Sequence, residues 1–545
     1  MKKIVIAGYY GFRNVGDDAV LTSMIDDIRE IYPDSSITVI GLDLDQLREQ
    51  FNVEAVHLTD FQAVYQAVKA GDILLLGGGG IFNDYLEYPD DLLLRPEPDL
   101  PSFGIVYGFP LLALIHQKPA MTFAAGASYI KSDFAKRDIA LGISVCSAVT
   151  LRDPTSREIL RSLPGLADKP MAVTADPVFR LRNSTGPLAS EVRDFFKDRS
   201  GPLVAVSLRH WDFHGDQTTT EAAVAGALNE FQAIQGGGVL FLPFDTRTED
   251  HLSDDVSVFQ RVAATLNPAV PHLILQDYLR PGEASALIGE CDLAVTMRLH
   301  PTVMAIKNQV PFVALVYDQK VQNILDHHNL PDFSLDLAGL NQSTLAARLA
   351  EIWVDRQDLK KRLASAAPAA AQMAAENLKL FKELLEAPYV EPSEKNSFLV
   401  NEFLLKYIGR AWEHYWLKQA SVSEADQAAV MAEIRNLANS GDYQSCLQLI
   451  WSILENKSWP DDPMIEAELF YLTAYCLQHL NQDPQEIERC YAKALELGFN
   501  PFWIFFNRGQ SRLNRQEMGP AIEDLNVAYE LNPDHPGLED LLKDL

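Results

Sequence analysis

Arg298, His300 and Lys320 are the residues whose types and spacing point most directly to chemistry. Leu293-Ala294-Val295-Thr296 has the character of a buried strand, Met297-Arg298-Leu299-His300 follows it, and a helical pattern resumes at Thr302. A second apolar run, Pro311 to Val316, ends in Tyr317-Asp318-Gln319-Lys320. Ligands in open α/β sheets bind outside the carboxyl ends of strands. An Arg, a His and a Lys at successive strand ends therefore predict a site for a small, highly anionic substrate. Arg152 after Ala148 to Leu151, and Arg209 after Val204 to Ser207, extend the set. Taken singly, each is as readily a surface Arg, a satisfied His or a solvated Lys; their convergence carries the functional reading.

Glycines and acids mark the opposite wall of such a site. The run Lys3 to Ala7 enters Gly8-Tyr9-Tyr10-Gly11-Phe12-Arg13-Asn14-Val15-Gly16-Asp17-Asp18 and then a helix. Gly8, Gly11 and Gly16 permit tight turns and close approach of a ligand, and the helix N-terminus favours an anion. Asn14 and Asp17 are expected substrate contacts and Asp18 a candidate catalytic carboxylate, with helix capping as the structural alternative for the two acids. Neither a dinucleotide GxGxxG with its ribose-binding acid nor a GK[ST] P-loop occurs. Ile73 to Leu76 runs into Gly77-Gly78-Gly79-Gly80-Ile81-Phe82-Asn83-Asp84. Gly78, Gly79 and Gly80 imply that substrate or a facing loop approaches the backbone there, with Asn83 and Asp84 reaching acceptor hydroxyls. Tyr88 to Pro101, rich in Pro and acids, reads as a loop that covers the site.

The elements that must position these residues follow from the alternation of short apolar runs with helical spacing. Lys3 to Ala7, Ile37 to Ile40, Ile73 to Leu76, Ala120 to Ala124, Ala148 to Leu151 and Met171 to Ala175 predict one parallel sheet. Val204 to Ser207, Gly238 to Leu242, Leu273 to Leu275, Leu293 to Val295 and Phe312 to Val316 predict a second. The fold class expected is α/β: two Rossmann-like halves, 1–185 and 186–387, meeting at a cleft. A helix over Gln342 to Glu386 closes the second half, and 388–400 reads as a linker. Beyond it, 401–545 is all helical. Ile487, Tyr491, Ala494 and Leu497 recur as Ala521, Leu525, Ala528 and Leu531, each 34 residues on, a spacing like that of tetratricopeptide repeats.

Composition bounds the function classes. The 545 residues suit roughly three to four domains. A formal charge of −29 opposes nucleic-acid binding, which needs a basic footprint, yet leaves room for a local basic cleft. Five scattered cysteines without a CxxC predict buried free thiols rather than disulfides or a zinc site. The run after Met1-Lys2-Lys3 is too short for a signal peptide, and no stretch reaches the ~18 apolar residues of a spanning helix. A cytoplasmic protein, peripheral at most to a membrane, is expected.

The segments GYYGFRNVGDDAVL, LLLGGGGIFND, LRDPTSREIL, ADPVF, VSLR, LRPGE, MRLHPTVMA and VALVYDQKV occur in this order over about residues 3–325. Together they resemble the polysaccharide pyruvyltransferases of the CsaB type, whose architecture is GT-B-like. The resemblance implies transfer of pyruvate from phosphoenolpyruvate to a sugar as a cyclic ketal with release of phosphate. It implies functional roles for Arg152, His300 and Lys320. The acceptor expected is N-acetylmannosamine or another hexose, in a cell-wall or exopolysaccharide precursor that is a sugar or lipid-linked saccharide. The chain departs from close relatives at Asp18, where they carry Glu, at Ala124-Ala125-Gly126-Ala127-Ser128, and at Gln319, where they carry Pro.

The chemistry so implied needs cations on the carboxylate and phosphate of the donor. Arg152 and Lys320 are assigned to that clamp with Arg298 and Arg209 as supplements, and His300 to general acid or to the departing phosphate. Asp18 or Asp84 is the expected base. No cofactor or metal is expected, phosphoenolpyruvate being a co-substrate. Two alternatives compete: a GT-B glycosyltransferase using a nucleotide sugar, and a non-catalytic helical-repeat scaffold. A protein partner is expected for the repeats.

Overall fold

Short runs that are apolar on both faces fold here as parallel strands, because helices cover the sheet on each side and leave no polar face to alternate. The structure is a computed structural model that describes residues 1–84, 103–186, 190–197, 201–210, 217–247, 254–390, 424–456, 463–533 and 535–543. The chain divides into two compact units, Met1–Val400 and Asn401–Leu545.

The first sheet and its helices run β1 (Lys3–Ala7), α1 (Val15–Ile31), β2 (Ser36–Gly41), α2 (Leu44–Phe51), β3 (Glu54–His57), α3 (Phe61–Ala70), β4 (Ile73–Leu76), β5 (Gly79–Phe82), α4 (Phe109–Ile115), β6 (Ala120–Ala127), α5 (Asp133–Ser144), β7 (Ala148–Leu151), α6 (Pro154–Arg161) and β8 (Ala172–Val173). The second runs α7 (Ser190–Lys197), β9 (Leu203–Ser207), α8 (Gln217–Gln235), β10 (Gly238–Phe241), α9 (Asp255–Ala264), β11 (His272–Ile274), α10 (Pro281–Gly289), β12 (Leu293–Thr296), α11 (Leu299–Lys307), β13 (Phe312–Val316), α12 (Gln319–His327), β14 (Ser334–Asp336) and α13 (Gln342–Glu386).

Strand order is β3-β2-β1-β4-β6-β7-β8 in one sheet, with β5 on β6, and β11-β10-β9-β12-β13-β14 in the other. Every pairing is parallel. The order reverses between β1 and β4 and again between β9 and β12, so a crevice forms at the carboxyl ends of those strands in each half. The expected Rossmann-like halves are present. Three strands lacked a sequence signal. β3 (EAVH) and β14 (SLD) are short sheet-edge strands with polar residues, and β5 begins on two of the four glycines.

α13 reaches further than a cap on the second half. Trp353 packs edge-on to Phe231 of α8, whereas Asn377 accepts from Thr174 Oγ1 at 2.8 Å and Lys2 Nζ donates to the Leu385 carbonyl at 3.1 Å. One helix thus spans both halves.

The helical unit comprises α14 (Glu424–Ser440), α15 (Tyr443–Asn456), α16 (Pro463–His479), α17 (Pro484–Glu496), α18 (Pro501–Asn514), α19 (Met518–Leu531) and α20 (Pro536–Lys543). Ile487, Tyr491, Ala494, Ala521, Leu525 and Ala528 are buried, whereas Leu531 is exposed. The five cysteines form no disulfide among the described residues; four are buried and Cys490 is half-buried. Among the described residues no helix is long and apolar enough to cross a membrane. The covering loop expected over Tyr88 to Pro101, and residues 391–400 of the expected linker, lie outside the described residues.

Candidate active site

Six strand ends deliver the site. β7 ends at Leu151, so Arg152 is the first residue beyond it, and the Arg152 amide bonds to the Ala125 carbonyl at 3.1 Å. Asp153 then caps α6 by accepting from the Ser156 amide at 2.7 Å. His300 stands in the first turn of α11 after β12, and Lys320 in the first turn of α12 after β13. Arg209 follows β9, Asp176 follows β8, and the glycine run follows β4.

Arg152 is the energetic anomaly of the fold. Its side chain is 3% exposed, yet Nε and Nη1 have no hydrogen-bond acceptor among the described residues. The nearest carboxylates stand too far off for a hydrogen bond, Asp153 at 3.8 Å and Asp176 at 3.6 Å. A buried donor left unmet costs about 1–3 kcal/mol, more when it is charged. Such an arrangement persists where a ligand supplies the missing acceptor. His300 shares the condition: its buried Nε2, 3.7 Å from Asp176 Oδ2, has no hydrogen-bond partner among the described residues, and neither has that oxygen.

Asp17 faces these cations from α1. Burial pushes its carboxyl above the ordinary range, while the charges of His300, Lys320 and Arg152, in that order, pull it back. Asp176 shifts the other way. Burial alone would raise it, but His300 and then Arg152 hold it below the ordinary carboxylate range. Two carboxylates driven apart by their surroundings form a pattern found in acid–base sites.

Glycine is required where the halves touch. A Cβ on Gly16 would lie 2.1 Å from His300 Nδ1, so this position of α1 admits the imidazole only as Gly. Gly79, at φ +99, adopts a left-handed conformation, and a Cβ there would approach Asp17 Oδ1 to 3.2 Å. Gly80 lies beside Arg152 Nη2. Gly8 packs on the Tyr10 ring, Gly11 on the backbone of Leu42 and Asp43, and Gly78 on the Phe123 carbonyl, so these three serve the fold.

Asn14 caps α1, its Oδ1 accepting from the amides of Gly16 and Asp17, and it pairs across to Asp245 of the second half. Arg209 and Lys320 flank the Tyr317 ring, 5.5 and 5.4 Å from its centroid, and Lys320 Nζ stands 3.4 Å from Asp318 Oδ2. Burial would raise the Tyr317 phenol; Lys320 and Arg209 outweigh that and leave it lower than usual.

Four expected site residues are engaged elsewhere. Arg298 grips Asp255 with Nε and Nη2 at distances down to 2.7 Å, so its guanidinium braces the loop after β10 rather than a ligand. Asp18 accepts from Tyr278 Oη at 2.6 Å and Gln46 Nε2 at 3.0 Å, turned from the cations that surround Asp17. Adjacent residues on a helix project about 100° apart, which is why the two acids part company. Asp84 caps the turn at Lys131 and Ser132, and Asn83 Nδ2 donates to the Gly80 carbonyl. Asp176, Tyr317 and Asp255 carry roles that the sequence reading did not assign. For Asp176 the signal was its place after a strand, as for Arg152; for Asp255 no local signal exists. Among the described residues no cluster of His, Cys, Asp and Glu is placed to hold a metal ion.

A family profile described as polysaccharide pyruvyl transferase matches residues 14–319. The chain belongs to the polysaccharide pyruvyl transferase family. The pyruvyl transferase match contains Asp17, Arg152, Asp176, Arg209 and His300 and stops one residue before Lys320. The amylovoran biosynthesis protein AmsJ of Erwinia amylovora is 21% identical over 399 residues, 67% of this chain and 95% of that protein. A DnaJ homolog subfamily C member 3 homolog of Dictyostelium discoideum is 29% identical over 109 residues, 20% of this chain and 21% of the other. Among solved structures, S. aureus MnaA with UDP aligns at 12% identity and TM-score 0.48 over 72% of this chain and 99% of that one. A glycosyltransferase of Rickettsia africae aligns at 11% identity and TM-score 0.47 over 71% and 99%.

Proposed function

We propose that this member of the pyruvyl transferase family takes pyruvate from phosphoenolpyruvate and places it on two hydroxyls of a saccharide as a cyclic ketal, releasing phosphate. The observation that supports this reading is the buried Arg152 guanidinium with unmet donors, beside His300 and opposite Asp17. Phosphoenolpyruvate brings a carboxylate and a phosphate on one carbon, which matches a guanidinium fork better than a single-point ligand would. Lys320 and Arg209 add charge from the other half.

His300, as imidazolium, delivers a proton to the methylene carbon of the enol, and the adjacent carbon becomes oxocarbenium-like. A sugar hydroxyl adds there while Asp17 takes its proton. The carbon–oxygen bond to phosphate then breaks, and a second hydroxyl closes the ring. One hydroxyl proton replaces the proton now in the methyl group; the other leaves with phosphate. Asp176 holds the imidazolium by charge, and its lowered carboxyl keeps that charge available.

Asp17 takes the role that the sequence reading gave to Asp18 or Asp84. The acceptor is a saccharide of a polysaccharide precursor, free or lipid-linked. The helical unit is read as a tetratricopeptide-like array that docks a protein partner, supported by the 34-residue recurrence of buried positions. Titration calorimetry tests the donor. Saturable phosphoenolpyruvate binding, weakened in Lys320→Ala and His300→Ala, is expected; binding of a UDP-sugar in its place would overturn the reading.

A further inference from the structure

A chain that must hold several cations ready for a polyanion faces a conflict. A carboxylate fixes a cation in place but cancels its charge, as Asp255 does for Arg298. An aromatic face attracts a cation through its quadrupole and carries no net charge, so it orients without neutralising. Tyr317 presents such a face at the site.

Tyr317 is the first residue beyond β13 and is 8% exposed. Arg209 Cζ lies over its ring at 5.5 Å from the centroid and Lys320 Nζ at 5.4 Å, both within the ~6 Å reach of a cation–π contact. The two cations come from different parts of the second sheet. Arg209 follows β9, and Lys320 stands in the first turn of α12 after β13. β12 runs between β9 and β13, where Thr296 pairs with Ser207 on one side and Ala314 on the other. Neighbouring strands lie about 4.8 Å apart, so β9 and β13 end roughly 10 Å from each other. The contact of Arg209 with Tyr317 therefore crosses the carboxyl end of β12, the strand that delivers His300.

Further contacts of the two cations leave their charge in play. Arg209 Nε donates to the His210 carbonyl at 3.2 Å, a neutral acceptor. Lys320 Nζ stands 3.4 Å from Asp318 Oδ2, but Asp318 also caps α12, its Oδ1 accepting from the Lys320 amide at 2.9 Å. A carboxylate shared with a helix N-terminus neutralises the cation only in part. Burial would raise the Tyr317 phenol, yet Lys320 and then Arg209 hold it below its ordinary range, the electrostatic mark of two cations close to one ring. Both are long, flexible side chains of like charge, which repel and spread unless something between them holds them.

We propose that Tyr317 is a positioning residue whose ring, and not its hydroxyl, holds Arg209 and Lys320 in place for the carboxylate and phosphate of the donor. The inference rests on the pyruvyl-transfer reading and deepens it. Tyr317 acts through the two cations.

The test is calorimetric titration of phosphoenolpyruvate into the full chain and its variants, read as a double-mutant cycle. Tyr317→Phe keeps the ring and is expected to bind within about twofold of wild type. Tyr317→Leu keeps an apolar side chain without the ring and should bind about tenfold more weakly, the scale of two partly buried cation–π contacts. In a Lys320→Ala background the same change should cost about threefold or less, because one of the two cations it serves has gone. The denaturant midpoint reports whether Tyr317→Leu folds, and Tyr317→Met replaces it if it does not. Affinity lost in Tyr317→Phe as in Tyr317→Leu would give the role to the hydroxyl. Affinity kept in Tyr317→Leu, or an equal cost in both backgrounds, would reduce Tyr317 to packing. Each of these overturns the positioning role alone. A wild type that fails to bind phosphoenolpyruvate overturns the pyruvyl-transfer reading and the inference with it.

Discussion

Arg152 and Arg298 occupy like places in the two halves, each a buried arginine just past the end of a parallel strand paired on both sides. Arg298 is satisfied: Asp255 receives its Nε and Nη2, and the same carboxylate also accepts the amides of Phe244 and Asp245. Arg152 is not, since its Nε and Nη1 find no acceptor among the described residues. The first is a brace and the second is half of an interaction. A buried cation therefore signals a ligand only when its hydrogen-bond donors are left unmet by its own fold.

That contrast breaks most readily at Arg298. Arg298→Met leaves the Asp255 carboxylate buried and unpaired, so a stability loss of about 3–5 kcal/mol is expected in denaturant unfolding. An unchanged midpoint would show that the brace is dispensable. Arg152→Met has the opposite profile. Phosphoenolpyruvate affinity is expected to fall about 100-fold or more by calorimetry, from loss of charge-assisted bonds worth about 1.5–3 kcal/mol each. Unfolding should be affected less than in Arg298→Met, because the two carboxylates beside Arg152 stand beyond hydrogen-bond distance from it. Affinity within about threefold of wild type would remove Arg152 from the donor site.

The two neighbouring acids sharpen the comparison. Burial, with Asp17 adding to it, drives the Asp18 carboxyl up to about 7 against the hydrogen bonds of Tyr278 and Gln46. The folded state thus binds more protons than the unfolded state between pH of about 4 and about 7, and stability falls as pH rises through that window. From pH 5 to pH 8 this amounts to about 3 kcal/mol, and Asp18→Asn is expected to flatten that part of the slope. A slope unchanged in Asp18→Asn would place the titration elsewhere. The smallest effect expected is that of Gly16→Ala. The added Cβ must displace the His300 imidazole, whose Nδ1 lies 2.1 Å from its position. Turnover should fall about tenfold with the fold kept, since small misplacements at a reacting group are costly.

Much of this molecule was legible in the chain. The runs Lys3–Ala7, Ile73–Leu76, Ala148–Leu151 and Phe312–Val316 are strands at the bounds read from hydropathy, and Gln342–Glu386 is one helix. A fully buried parallel strand needs an unbroken apolar run, and that need is local. The edge strands Glu54–His57 and Ser334–Asp336 were not legible, because a strand half-open to solvent owes its existence to its neighbour rather than to its own composition.

At the site the division is the same. Sequence by itself determined that Arg152, Arg209, His300 and Lys320 would stand at strand ends, because the βα alternation leaves them nowhere else. Only the tertiary structure decided which basic groups were already neutralised, since Asp255 is 43 positions from Arg298. It likewise turned Asp17 toward the cations and Asp18 toward Tyr278, 260 positions away. Strand ends are set by local periodicity, but ion partners are set by which loops two sheets bring together, and no spacing along the chain encodes that.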